Sequence, residues 1–229
     1  MNDITLHFSE YGKGQPLILL HGNSESSEYF KNQIPFFSSK YRIIAVDTRG
    51  HGKSPRGTKP FTLEQFAEDL KYLLDFLKIK SAYFLGFSDG ANIALLFTLK
   101  YPNYVDKLIL NGGNLFPSGV KIKAQLPVYL GYTAACFLSL FNKKNILKKE
   151  LLSLMAKQPH IKPKDLNMIN ISTLVIAGNK DVIKNKHTNL IAESIPCSQL
   201  SIIKGTHFIA YKNSQEFNNI VYKFLCENR

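Results

Sequence analysis

Residues 81–101 read Ser-Ala-Tyr-Phe-Leu-Gly-Phe-Ser-Asp-Gly-Ala-Asn-Ile-Ala-Leu-Leu-Phe-Thr-Leu-Lys-Tyr. Ser81–Phe87 has the apolar pattern of a buried strand, and Ser88–Tyr101 continues at once as a helix that stops before Pro102. The junction Gly86-Phe87-Ser88-Asp89-Gly90 leaves no room for a loop. So tight a turn forces Ser88 into strained backbone geometry and lifts its side chain clear of the sheet. Glycine is needed on both sides because a larger side chain would clash there.

Outward from this junction, short apolar strands alternate with helical patterns. Towards the N-terminus, Thr5–Tyr11, Pro16–Leu20 and Tyr41–Asp47 read as strands, and Glu25–Ser39 and Thr62–Lys78 as helices. Thr62 is a good helix N-cap, and Gln65 supports a weak capping box. Towards the C-terminus, Val105–Leu110, Thr173–Ala177 and Leu200–Ile203 read as strands, and Asn185–Ile195 and Ser214–Cys226 as helices. Strands apolar on both faces and separated by helices imply an α/β fold, a mostly parallel twisted sheet covered on both sides.

Residues 114–167 break the alternation. They hold no strand pattern, so the expected organisation is a core of 1–113 and 168–229 with 114–167 as a helical lid. Within the lid, Ala124–Phe141 carries no charge over 18 residues. Gln125, Pro127, Gly131, Thr133 and Ser139 dilute it, so no stable membrane span is expected. A second helix, near Asn145–Lys157, is lysine-rich. The apolar side of the lid is expected to face a pocket, with its lysines in water. Phe116, Leu126, Tyr129, Tyr132 and Phe137 are the candidates for lining that pocket. The excess of lysine here leaves two readings open, steering of anionic substrates or a solvated outer face.

Composition narrows the classes. The chain has 229 residues, 45% hydrophobic, and a formal charge of +12. Only Arg42, Arg49, Arg56 and Arg229 are arginines; the rest of the positive charge is lysine scattered along the chain, so nucleic-acid binding is not expected. Cys136, Cys197 and Cys226 are odd in number and widely spaced, which argues against a disulfide framework or a zinc site. The polar, alternating start Met1–Glu10 has no secretion-signal pattern, and a cytoplasmic setting is expected. Oligomeric state is left open.

A serine hydroxyl needs a base to become a nucleophile at neutral pH. Strand C-termini in a parallel sheet share one edge, where ligands bind. His207 follows the last strand in Gly205-Thr206-His207, which puts it on the edge of Ser88. His160 and His187 read as surface residues, and His7 as lying on the first strand far from that edge. His21 and His51 sit in glycine turns and read as loop-holding groups. Asp181, in Gly178-Asn179-Lys180-Asp181 after the strand Thr173–Ala177, can orient the base, and the order Ser88, Asp181, His207 suits this topology. Asp106 starts its strand at the wrong end. The backbone N–H groups of Asn23 and Asp89 are the candidate oxyanion donors.

With His21-Gly22-Asn23, the turn Asp47-Thr48-Arg49-Gly50-His51-Gly52-Lys53-Ser54, the Ser88 elbow, Asp181 and Gly205-Thr206-His207 in this order, the chain resembles a lidded member of the α/β-hydrolase family over nearly its full length. The lid matches least. The resemblance implies hydrolysis of a small ester through an acyl-serine intermediate, without metal or cofactor, and a loop-shaping role for residues 47–54. It also implies that Asp89 could hold the ammonium group of an amino-acid ester, because some relatives carry the same Ser-Asp pair. Carbon–carbon bond hydrolysis, aminopeptidase action and a non-catalytic small-molecule receptor remain open on the same fold.

Overall fold

The structure is a computed structural model, and it describes residues 3–227. Seven strands form one sheet: β1 (Phe8–Tyr11), β2 (Pro16–Leu20), β3 (Arg42–Val46), β4 (Ala82–Phe87), β5 (Val105–Asn111), β6 (Ser172–Gly178) and β7 (Ser198–Ile203). Their order is β1-β3-β2-β4-β5-β6-β7, with β1 antiparallel to β3 and every other pairing parallel. The carboxyl ends of β2 to β7 therefore share one edge.

Alternate strand residues feed two apolar layers, as the two-residue period of a strand requires. Ile18, Leu20, Ile44, Phe84, Leu108 and Val175 face one layer, which holds α2 (Leu63–Phe76), α3 (Asp89–Lys100) and α6 (Asn185–Ser194). Leu17, Leu19, Ile43, Leu85, Ile109 and Ile176 face the other, which holds α1 (Gln33–Phe37), α7 (Ile209–Lys212) and α8 (Ser214–Cys226). Helix α2 starts as expected: the Thr62 hydroxyl accepts the Gln65 N–H at 3.1 Å.

Two expectations are corrected. The single helix expected over 25–39 is a 3-10 turn, Ser27–Phe30, followed by the short α1. A continuous helix would have carried Pro35 in its interior, where proline lacks the N–H and clashes with the preceding turn; α1 holds it in its first turn, where it is tolerated. The first strand is shorter than expected and antiparallel. Its start, and not its end, therefore lies at the carboxyl edge of the other strands.

Between β5 and β6 the chain forms α4 (Ile122–Phe141) and α5 (Asn145–Lys157), which pack on each other. Leu115, Leu154, Ile161 and Leu166 from this stretch join the apolar layer of α2 and α3, so the insertion is anchored in the main core.

Candidate active site

Ser88 stands between β4 and α3 with φ 53° and ψ −118°, a conformation that side-chain-bearing residues rarely adopt. Its N–H donates to the Asn111 carbonyl of the neighbouring strand at 2.8 Å. The two flanking glycines are sterically obligatory. A Cβ on Gly86 would lie 2.3 Å from the Gly90 carbonyl oxygen, and one on Gly90 would lie 2.0 Å from that of Leu20.

The structure brings the three sequence candidates together. His207 Nε2 lies 3.0 Å from Ser88 Oγ, and His207 Nδ1 lies 2.7 Å from Asp181 Oδ1. Asp181 is 1% exposed, and its Oδ1 also accepts the Ile183 N–H at 2.9 Å. The His207 ring rests beside that of Phe87, which also stacks on Tyr29. An Asp181 carboxylate on Nδ1 fixes the tautomer with a proton there and leaves Nε2 free to accept one from Ser88.

Asn23 and Asp89 meet beside this group. The Asn23 side-chain amide donates to Asp89 Oδ2 at 3.0 Å and to the Leu151 carbonyl of α5 at 3.1 Å. Their backbone N–H groups donate to no protein acceptor among the described residues. Asp89 is the first residue of α3, so its N–H has no partner within the helix. Burial pushes the Asp89 carboxyl above the usual carboxylate range, against the pull of Asn23, His207 and Asn92.

Ser88 opens into a pocket of about 270 Å³. Its wall includes Glu25, Asp89, Ala124, Val128, Met155 and Phe208. Among the described residues no Lys or Arg lines it, in a chain of net charge +12. Glu25 is a residue that sequence reasoning missed. Its Oε2 accepts the Gly22 N–H at 3.1 Å, and burial pushes its carboxyl up to about 7. Its signal was its place two residues beyond Asn23, in the loop that follows β2.

The expected lining residues lie elsewhere. Leu126, Tyr129 and Phe137 are exposed, Tyr132 carries Lys157 over its ring, and Phe116 packs on the edge of His187 at 4.5 Å. The phase of α4 is the reason. Ala124 and Val128, one turn apart, face the pocket, and Gln125 turns inward to donate to the Met155 carbonyl at 2.9 Å. The larger apolar residues therefore point outward. This reverses the expectation that the apolar side of the insertion would face the pocket.

Two histidine readings are also corrected. His187 is buried, not on the surface; its Nε2 accepts the Leu115 N–H at 2.8 Å, and burial lowers its pKa to about 4. His7 lies at the carboxyl edge because β1 is antiparallel, yet its partner is Asp47, 3.0 Å from Nδ1. His21 and His51 brace loops. His21 donates from Nδ1 to the Gly22 carbonyl at 2.7 Å and accepts the Thr48 N–H on Nε2 at 3.1 Å; burial lowers it to about 4. Asp47 accepts the Ser27 and Lys53 N–H groups, which closes the loop 47–54 around it. Among the described residues no group of three or more His, Cys, Asp or Glu side chains stands together as a metal site.

A strained serine between strand and helix, a histidine and a buried aspartate on one sheet edge, and a mostly parallel sheet covered on both faces together define a class. The chain belongs to the alpha/beta hydrolase fold family, whose profile matches residues 15–145. It is 26% identical to the serine hydrolase BPHL of Mus musculus, over 98% of this chain and 84% of that protein. It is 27% identical to the 2-hydroxy-6-oxononadienedioate/2-hydroxy-6-oxononatrienedioate hydrolase of Escherichia coli, over 97% of this chain and 91% of that one. Among solved structures it resembles Est816, an N-acyl homoserine lactone degrading enzyme, with TM-score 0.80 and 26% identity over 98% of both chains.

Proposed function

We propose that the chain is a serine hydrolase that cleaves a small carboxylic ester through an acyl-serine intermediate, with 114–167 acting as the lid of its pocket. The observation that carries this reading is the continuous contact from Ser88 Oγ through the His207 ring to Asp181 beside the pocket. Ser88 Oγ attacks the ester carbonyl while His207 Nε2 takes its proton. Asp181 stabilises the imidazolium that forms. The tetrahedral oxyanion is held by the N–H groups of Asn23 and Asp89; one such donor contributes about 3 kcal/mol to the transition state. His207 returns the proton to the leaving alcohol, and water then attacks the acyl-serine by the same route.

The pocket's charge supports an ester over a dicarboxylate carbon–carbon substrate of the kind for which the Escherichia coli relative is named. A substrate carboxylate gains from a cation in the pocket wall, and this wall offers Glu25 and Asp89 instead. Asp89 in the wall favours a second reading, an ester whose acyl part carries an ammonium group, with Asp89 as its partner.

A panel of p-nitrophenyl esters of graded acyl length, run beside aminoacyl esters, aminoacyl amides and a dienedioate, tests these readings. Short esters are expected to turn over, and a fluorophosphonate probe is expected to label the wild type and not Ser88→Ala. Turnover of the dienedioate alone would replace the ester reading. Asp89→Asn is expected to lower kcat/KM on an α-amino ester more than on its des-amino analogue; an equal loss on both removes the ammonium reading.

A further inference from the structure

A second surface stands out on the outer side of α4. Leu126, Leu130, Phe137, Leu138, Leu140 and Phe141 all stand in solvent there, Leu140 at 78% and Phe141 at 75% exposure. They recur at helical spacing along a 20-residue helix and make a stripe about 23 Å long. An exposed apolar surface so extended and continuous marks a contact surface rather than scattered apolar residues.

Charge decides what covers it. Lys121 and Lys123 stand at one end of the stripe, Lys143 and Lys144 at the other, with Lys148 and Lys149 beyond them on α5. From residue 107 to residue 149 the sequence contains no Asp or Glu. Two copies of this chain meeting face to face would bring two lysine frames together with no acid from the stripe to pair them. A surface that is apolar in its middle layer and negative at its outer layer fits both features at once: the stripe enters among acyl chains while the lysines reach the headgroups.

We propose that the outer face of α4 docks the protein onto an anionic lipid bilayer, the helix lying in the interface and not spanning it. Length and hydropathy alone would let α4 cross a membrane. Its inner side is committed to the protein, however: Gln125 and Ala135 are buried, Gln125 donates to Met155, and Ala124 and Val128 wall the pocket. Docking would therefore bring the pocket to about one helix diameter, roughly 10 Å, from the lipid surface.

The chain contains no Trp, so Phe141→Trp supplies a single fluorescent reporter at the end of the stripe. It is titrated with vesicles of phosphatidylcholine alone and of phosphatidylcholine with about 30% phosphatidylglycerol. A blue shift and co-sedimentation are expected with the anionic vesicles, weakening by about tenfold when salt is raised to about 0.5 M. The triple variant Leu130→Ser/Leu140→Ser/Phe141→Ser keeps every charge and changes only exposed side chains. It is expected to melt like the wild type by circular dichroism and to bind the anionic vesicles about tenfold less tightly. An unshifted reporter overturns the proposal. So does a folded triple variant that binds as well as wild type, since the lysines alone would then account for binding. A dimeric wild type made monomeric by the triple variant, with no vesicle binding by either, assigns the face to self-association instead.

Discussion

The Ser88 elbow and helix α4 wall the same pocket from two sides, and they are built by opposite rules. At the elbow the backbone is tightly constrained: a Cβ on Gly86 or Gly90 would meet backbone, Ser88 is strained, and its N–H is tied to β5. Along α4 only Ala124, Gln125 and Val128 reach the pocket, while the bulkiest apolar groups face away from it. The elbow tolerates no added atom because its neighbours are backbone, which cannot move aside. The helix can change one face without the other noticing. Under the proposed reading, the first surface fixes the chemistry and the second the substrate size.

The contrast can be broken most forcefully at Gly90. Gly90→Ala puts a methyl group onto the Leu20 carbonyl and is expected to cost about 3 kcal/mol or more, read as a lowered urea midpoint. Unchanged stability would show that the elbow yields. Next in size is a pair of substitutions on α4. Val128→Phe is expected to lower kcat/KM about tenfold on an ester with a bulky acyl group and much less on acetate, by filling the cavity. Leu126→Ala, one face away, is expected to change either value by less than about twofold. Equal effects would erase the distinction between the two faces.

The smallest effect belongs to Glu25, on the pocket's third side. In the folded chain its carboxyl keeps its proton up to about 7, against an ordinary value of 4.5, because burial disfavours the charged form. Its contribution to stability is thus complete below 4.5 and lost as pH rises towards 7. With the screening of a half-buried site the loss is about 1 kcal/mol. Glu25→Gln is expected to flatten the fall in thermal midpoint between pH 5 and about 8. A slope identical to wild type would remove Glu25 as its source.

What could be read from the residues follows the same division. The elbow announces itself because a strand, a serine and a helix with glycines at fixed places admit one geometry. Asp181 and His207 followed from the rule that parallel strands share an edge, which does not depend on any distance between them. The pocket residues of α4 were misread because nearly every position of that helix is apolar. With no polar stripe to set its phase, hydrophobicity alone could not say which side turns inward. His7 was misplaced for a topological reason. A single antiparallel strand reverses which of its ends meets the site, and the alternation in residues 5–11 is the same in either direction. His187 was misread because its acceptor role toward Leu115 depends on two segments far apart in the chain meeting.

His21 and His187, braced against Thr48 and Leu115, carry a cost that shows only in acid. Folded, each takes a proton near pH 4; released, near 6.5. Their share of stability is whole above 6.5 and drains as pH falls to 4, because the unfolded chain gathers protons the native one refuses. Acidification is therefore expected to weaken these two braces, read as a fall in the thermal midpoint between pH 6.5 and 4.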